Sequence, residues 1–123
     1  MLQVSSRTMK AICLIEELNQ RYEEDYAREL CVSSALGLLA FIEQYPTADL
    51  PLLAAMSKGQ ILGEWRVGNR SLTLDFVDSY KIYYALFIGE KERTMLWGVS
   101  DLANIFVDCP ESRHIIESKK ETK

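Results

Sequence analysis

A single histidine, His114, and three cysteines, Cys13, Cys31 and Cys109, are all that 123 residues offer to imidazole and thiol chemistry. The cysteines lie far apart and form no C-x-x-C pair, so the spacing of a zinc knuckle or redox dithiol is missing. A metal centre would require three distant segments to converge on one imidazole. A Cys–His nucleophile, for instance Cys31 with His114, would have to recruit its base from a charged C-terminal segment that does little to position it. The serines have no other histidine to activate them, which argues against a triad hydrolase. Gly59, Gly63 and Gly68 do not follow phosphate-loop spacing and instead bound a hairpin. Neither a metal nor a cofactor is therefore expected.

Positive charge is also scarce. Lys and Arg number 14 against 18 Asp and Glu, a net charge of -4. Phosphate backbones are bound by neutralising cations, so nucleic acid is a poor match, whereas a basic protein partner suits an acidic surface. No apolar run approaches the roughly 20 residues that cross a bilayer, and no basic segment leads into an apolar core at the N-terminus. An odd number of dispersed cysteines reads as free thiols in a reducing compartment. The expectation is a cytoplasmic protein with no membrane association.

What is present is a folding composition, 48% hydrophobic and 26% charged, in a chain long enough for one domain. Ala11, Leu14, Ile15, Leu18 and Tyr22 recur at helical spacing behind Ser5 or Ser6 as N-cap, and the acidic cluster Glu23–Asp25 marks the end. Ala35, Leu38, Leu39, Ile42 and Tyr45 predict a second helix from Ser33 or Ser34, widened by Leu36 and Phe41 and stopped by Pro46. The period then changes to two. Leu52 to Met56 is a short edge strand, and Ile61, Gly63, Trp65 and Val67 alternate with Leu62, Glu64 and Arg66. Gly68-Asn69 is a hairpin turn into the alternating Leu72, Leu74 and Phe76. Lys81 to Ile88 is a strand with both faces apolar, and Thr94 to Trp97 a final one. Ser100 reads as the N-cap of a short closing helix carrying Leu102 and Phe106. The predicted class is α+β: two N-terminal helices, an antiparallel β-meander of three to five strands and a short C-terminal helix. Residues 1–110 form the domain, and residues 111–123 a charged, flexible tail in which Ile115 and Ile116 are available to dock.

Two helices cover one face of a small sheet. The strand Lys81 to Ile88 places Ile82, Tyr84, Leu86 and Ile88 on one face and Tyr83, Ala85 and Phe87 on the other. The second face must meet the closing helix, a second copy or another protein. Candidate contact residues are Tyr80, Tyr83 and Phe87, with Trp65 or Trp97 as an aromatic anchor; the register of Trp65 with Ile61 and Val67 also fits the core. Aromatic side chains on a sheet can stack bases, so single-stranded nucleic-acid binding is the alternative, although Lys81 is the lone cation of that strand. Glu64 and Asp75, on adjacent strands, are the paired carboxylates an unrecognised enzyme would use; cross-strand pairing with Arg66 or Arg70 is their structural role.

The stretch Met56 to Val67, with Pro51 before it and Leu72-Thr73-Leu74 and Tyr83-Tyr84 after it, resembles a widespread group of small uncharacterised prokaryotic proteins. In that group a Gly turn leads into a strand ending in Glu-Trp and then a hairpin of aliphatic strands, here Gly59 and Glu64-Trp65. The resemblance spans roughly residues 22 to 107 and includes Asp25-Tyr26-Ala27 and Val32-Ser33, without the glycines and tryptophan the group often carries upstream. It implies a mobile-element product found beside toxin–antitoxin or phage-defence genes, with an antitoxin-like or accessory binding role, a protein partner or self-association, and no catalytic residues.

Overall fold

The computed structural model describes residues 5–89 and 93–117, and of residues 93–95 the backbone alone. Among the described residues nine elements follow one another: α1 (Ser6–Tyr26), α2 (Val32–Gln44), β1 (Leu52–Ala55), β2 (Ile61–Val67), β3 (Arg70–Phe76), β4 (Lys81–Ile88), β5 (Arg93–Asp101), α3 (Ile105–Asp108) and α4 (Glu111–Ile116). The class is α+β, as the periodicity predicts.

The five strands form one antiparallel sheet in sequence order, β1-β2-β3-β4-β5. Each strand pairs with the next one in the chain, and β2 and β3 are joined by only Gly68 and Asn69. Gly68 takes a positive φ of 59° at the first position of the β2–β3 loop, the backbone that a two-residue hairpin of this kind requires. On the inner face Ile61 pairs with Phe76, Gly63 with Leu74 and Trp65 with Leu72, followed across β4 by Ile82, Tyr84 and Leu86. At Tyr84 the opposite residue is Gly98, where an added Cβ would lie 2.6 Å from the Tyr84 hydroxyl. The ring thus covers a gap that only glycine leaves.

All four helices bury against that inner face. Leu18 and Tyr22 of α1, Leu38, Phe41 and Ile42 of α2, Ile105 of α3 and Ile115 and Ile116 of α4 share one core with the inward strand residues. Phe41 sits at its centre, with ring centroids 5.8 Å from Trp65 and 5.7 Å from Phe76. Polar ties fix the helices on the sheet. The Ser34 hydroxyl, wholly buried, donates to the Phe76 carbonyl and accepts the Ile61 amide at 2.8 Å. The Tyr22 hydroxyl donates to the Ser57 carbonyl at 2.8 Å, and the Arg7 guanidinium to the Ile42 and Ala48 carbonyls.

Several sequence expectations shift. The Ser5 side chain does cap α1, accepting the Thr8 amide at 3.1 Å. The helix, however, runs through the acidic cluster to Tyr26, because the left-handed Ala27 closes it with its amide on the Glu23 carbonyl. Ser100 lies in β5, which is longer than predicted, and its hydroxyl donates to Asp108 at 2.6 Å instead of capping a helix. Leu36 is exposed rather than part of the buried stripe of α2. The ordered body does not stop at Pro110: that proline opens α4, and Ile115 and Ile116 are fully buried. Of the segment read as a tail, residues 118–123 lie outside the described residues.

Candidate interaction face

Because side chains alternate along a strand, the residues not in the core share the opposite face. Its rows follow from the register. Leu52, Glu64, Thr73, Ala85 and Trp97 form one row from β1 to β5, and Ala54, Leu62, Asp75, Tyr83 and Val99 the next. Arg66, Ser71 and Phe87 begin a third. No described helix packs on this face. The closing helix α3 does not cover it: Ile105 enters the common core, and Phe106 stacks on Tyr45 of α2 with centroids 4.7 Å apart.

The face is strongly apolar toward β5. Trp97 is 78% exposed, Val99 59% and Tyr83 45%. Between them a groove of about 250 Å³ is lined by Tyr83, Trp97 and Val99 over the Tyr84 and Gly98 strand positions. Phe87 lies half-buried on the same face. Tyr80 is exposed at the β3–β4 turn, where Asp78 Oδ1 accepts the Tyr80 and Lys81 amides. Those amides, Lys81 first, hold the Asp78 carboxyl below its ordinary range. Trp65 does not belong here. It is 4% exposed on the inner face, and its indole N–H donates to the Asp49 carbonyl at 2.9 Å; its register with Ile61 puts it under the helices, which removes it as a contact residue.

Near the middle of the face lies a residue that reading by alternation passes over. Asp75, on the central strand, is 8% exposed, and its Oδ1 is fully buried with no hydrogen-bond partner among the described residues. Leu62 and Tyr83 stand opposite it on the two neighbouring strands. Loss of solvent alone pushes its carboxyl up from the ordinary value of 3.8. Glu64, by contrast, meets Arg66 at 3.2 Å in a largely solvated ion pair. The two carboxylates are not directly opposed, since Glu64 faces Thr73 and Asp75 faces Leu62.

Cys31 precedes α2, and its thiol is held below the ordinary value chiefly by contact with the Ser33 hydroxyl. Cys109 is buried, which pushes its thiol up. His114 is exposed on α4. Among the described residues no three His, Cys, Asp or Glu side chains are grouped to hold a metal ion, and no helix is long and apolar enough to cross a membrane. Comparison with family models, with curated proteins and with solved structures finds no match to this chain.

Proposed function

We propose that the protein is a non-enzymatic binding module that docks another protein on the outer face of its sheet. The observation that carries this reading is the cluster Trp97, Val99 and Tyr83, large apolar side chains left in solvent by every described element. Contiguous exposed apolar surface is unfavourable in water and is characteristic of interaction sites. Tryptophan and tyrosine bury much area for few rotors, which suits them to act as anchors. The antitoxin-like or defence-accessory role implied by the sequence resemblance is one setting for such a module, in a reducing cytoplasm where its three thiols stay free. The same aromatics would serve a single-stranded nucleic acid, but Glu64, Asp75 and Asp101 on this face outnumber Arg66 and Lys81, which disfavours phosphate.

The test is capture from nuclease-treated lysate of the source cells with the wild-type chain and with Trp97→Asp. The reading requires a stoichiometric protein partner retained by the first and lost by the second, with circular dichroism unchanged. A partner held equally by both, or none, refutes it.

A further inference from the structure

We infer that the outer face is built for a partner segment that presents a cationic side chain beside an apolar one, the cation meeting Asp75 and the apolar group entering the Tyr83–Trp97–Val99 groove. This rests on the docking reading above and specifies the partner's chemistry.

The polar half of the inference comes from Asp75. A carboxylate oxygen shut away from water without a donor is costly, and native proteins rarely leave one so. On a strand of alternating pattern a polar outward position ordinarily contacts water. Here Leu62 and Tyr83 stand opposite the carboxylate on the neighbouring strands and Oδ1 is closed off in the free chain, so the partner's cation reaches it as the Tyr83 side chain, 45% exposed, turns aside. The position is also central, since β3 is the middle strand of five. Groups that decide affinity cluster at the desolvated centre of an interface, and a carboxylate there accepts its strongest hydrogen bonds from Lys or Arg. The chain's net charge of -4 favours approach of a basic partner.

The apolar half is the groove. Its volume of about 250 Å³ suits one large side chain. Asp75, Tyr83 and Val99 lie in a single row across β3, β4 and β5, so carboxylate and groove are one to two strand spacings apart, about 5–10 Å. That is within reach of neighbouring side chains on one peptide. Tyr83 forms the wall between the two subsites and offers its ring to the passing cation.

The probe is a displayed library of random twelve-residue peptides selected on the immobilised full chain, with synthetic versions of the enriched peptides titrated against wild type, Asp75→Asn and Trp97→Ala. The inference requires Trp97-dependent peptides that carry Lys or Arg near an aromatic or long aliphatic residue, and that bind Asp75→Asn roughly 10- to 100-fold more weakly, the range of a charge-assisted hydrogen bond. Replacing the peptide's own cation by glutamine must give the same loss, which keeps the test decisive even where the Asp75 variant folds poorly. Trp97-dependent peptides indifferent to both changes overturn the cation and leave the docking reading standing. A selection with no Trp97-dependent peptide, from a chain that sediments as a dimer dispersed by Trp97→Asp, assigns the face to a second copy and overturns the inference. The same empty selection from a monomer overturns both.

Discussion

Replacing Gly37 by alanine in α2 should destabilise the protein, against the usual sign. In a solvent-exposed helix interior the change gains about 1 kcal/mol, because glycine loses more backbone freedom on folding. Gly37 instead faces the β3–β4 turn. A Cβ there would overlap the Asp78 carbonyl oxygen and approach the Asp78 carbonyl carbon to 3.3 Å and Ser79 Cα to 3.5 Å. All three are backbone atoms, so no rotamer change relieves the overlap. The turn is also held in place: Asp78 Oδ1 accepts two amides, at 2.8 and 2.7 Å, and Ser34, one helical turn from Gly37, is bonded to the adjoining strand ends. The methyl must then move helix or sheet, and overpacking of this kind costs about 1–3 kcal/mol. With a rigid neighbour the upper end applies, and after the helix-propensity gain the net loss is about 2 kcal/mol. Urea unfolding followed by circular dichroism reads this as a lower midpoint at unchanged m-value. Leu36→Ala, one residue along on the exposed side, is the control and should stay within about 0.5 kcal/mol. A Gly37→Ala protein as stable as wild type, or more so, refutes the seating of α2 on that turn.

Ser34→Ala removes the hydroxyl shared by the Phe76 carbonyl and the Ile61 amide, and should cost about 2 kcal/mol in the same assay; a loss under about 0.5 kcal/mol would show that water replaces it. For Asp75, burial raises the folded carboxyl above 3.8, so the folded state binds this proton more tightly than the unfolded state does. Its contribution is most favourable below the unfolded value and is lost as pH rises through the folded one. Asp75→Asn should therefore gain on wild type as pH rises above about 4 in parallel unfolding curves, and a pH-independent difference would contradict the burial. Iodide should quench the indole fluorescence of Trp97, 78% exposed, and spare that of Trp65, 4% exposed; quenching that persists in Trp97→Ser exchanges their places. Cys13 and Cys31 should react with an aromatic disulfide reagent in the native protein, while buried Cys109 reacts only on unfolding.

The meander is legible because period-two alternation and turn residues agree from Ile61 to Phe76, and the inner-face register of Trp65 follows from them. Other features lack a local signal. The C-cap of α1 is Ala27 at φ 56°, where glycine would have announced the stop, so the acidic cluster reads as an end it is not. Six-residue α4 is too short to display a helical period, yet Ile115 and Ile116 both reach the core. Ser100 carries the residue type of a cap, but pairing with Ile82 keeps it in the sheet. Asp75 occupies a polar position of the alternation, and its burial depends on Leu62 and Tyr83 across two different strands, a juxtaposition that exists only once the sheet has formed.

The two tryptophans show how strand parity separates core from candidate interface. Trp65 stands in a row with Leu72 and Leu86, beneath Phe41 and the helices. Trp97 stands in the row of Thr73 and Ala85, side chains too short to shield it. On β5 that parity is governed by an irregularity. Leu86 opposes Leu96 and Phe87 opposes Thr94, so residue 95 is extra. A bulge lets flanking segments of a strand keep different registers, and here it leaves Leu96 in the inward row of Leu86 and Trp97 in the outward row of Ala85. A one-residue slip would reverse every side chain on the strand, driving the Trp97 indole into the space over Tyr84 where the protein has glycine. Gly98 thus protects the exposed position of Trp97. Gly98→Ala, by crowding Tyr84 on the inner face, should weaken the β4–β5 pairing on which the outer groove depends, and peptide binding should fall together with the thermal midpoint. A Gly98→Ala protein with full stability and full binding would show that the groove does not depend on this register.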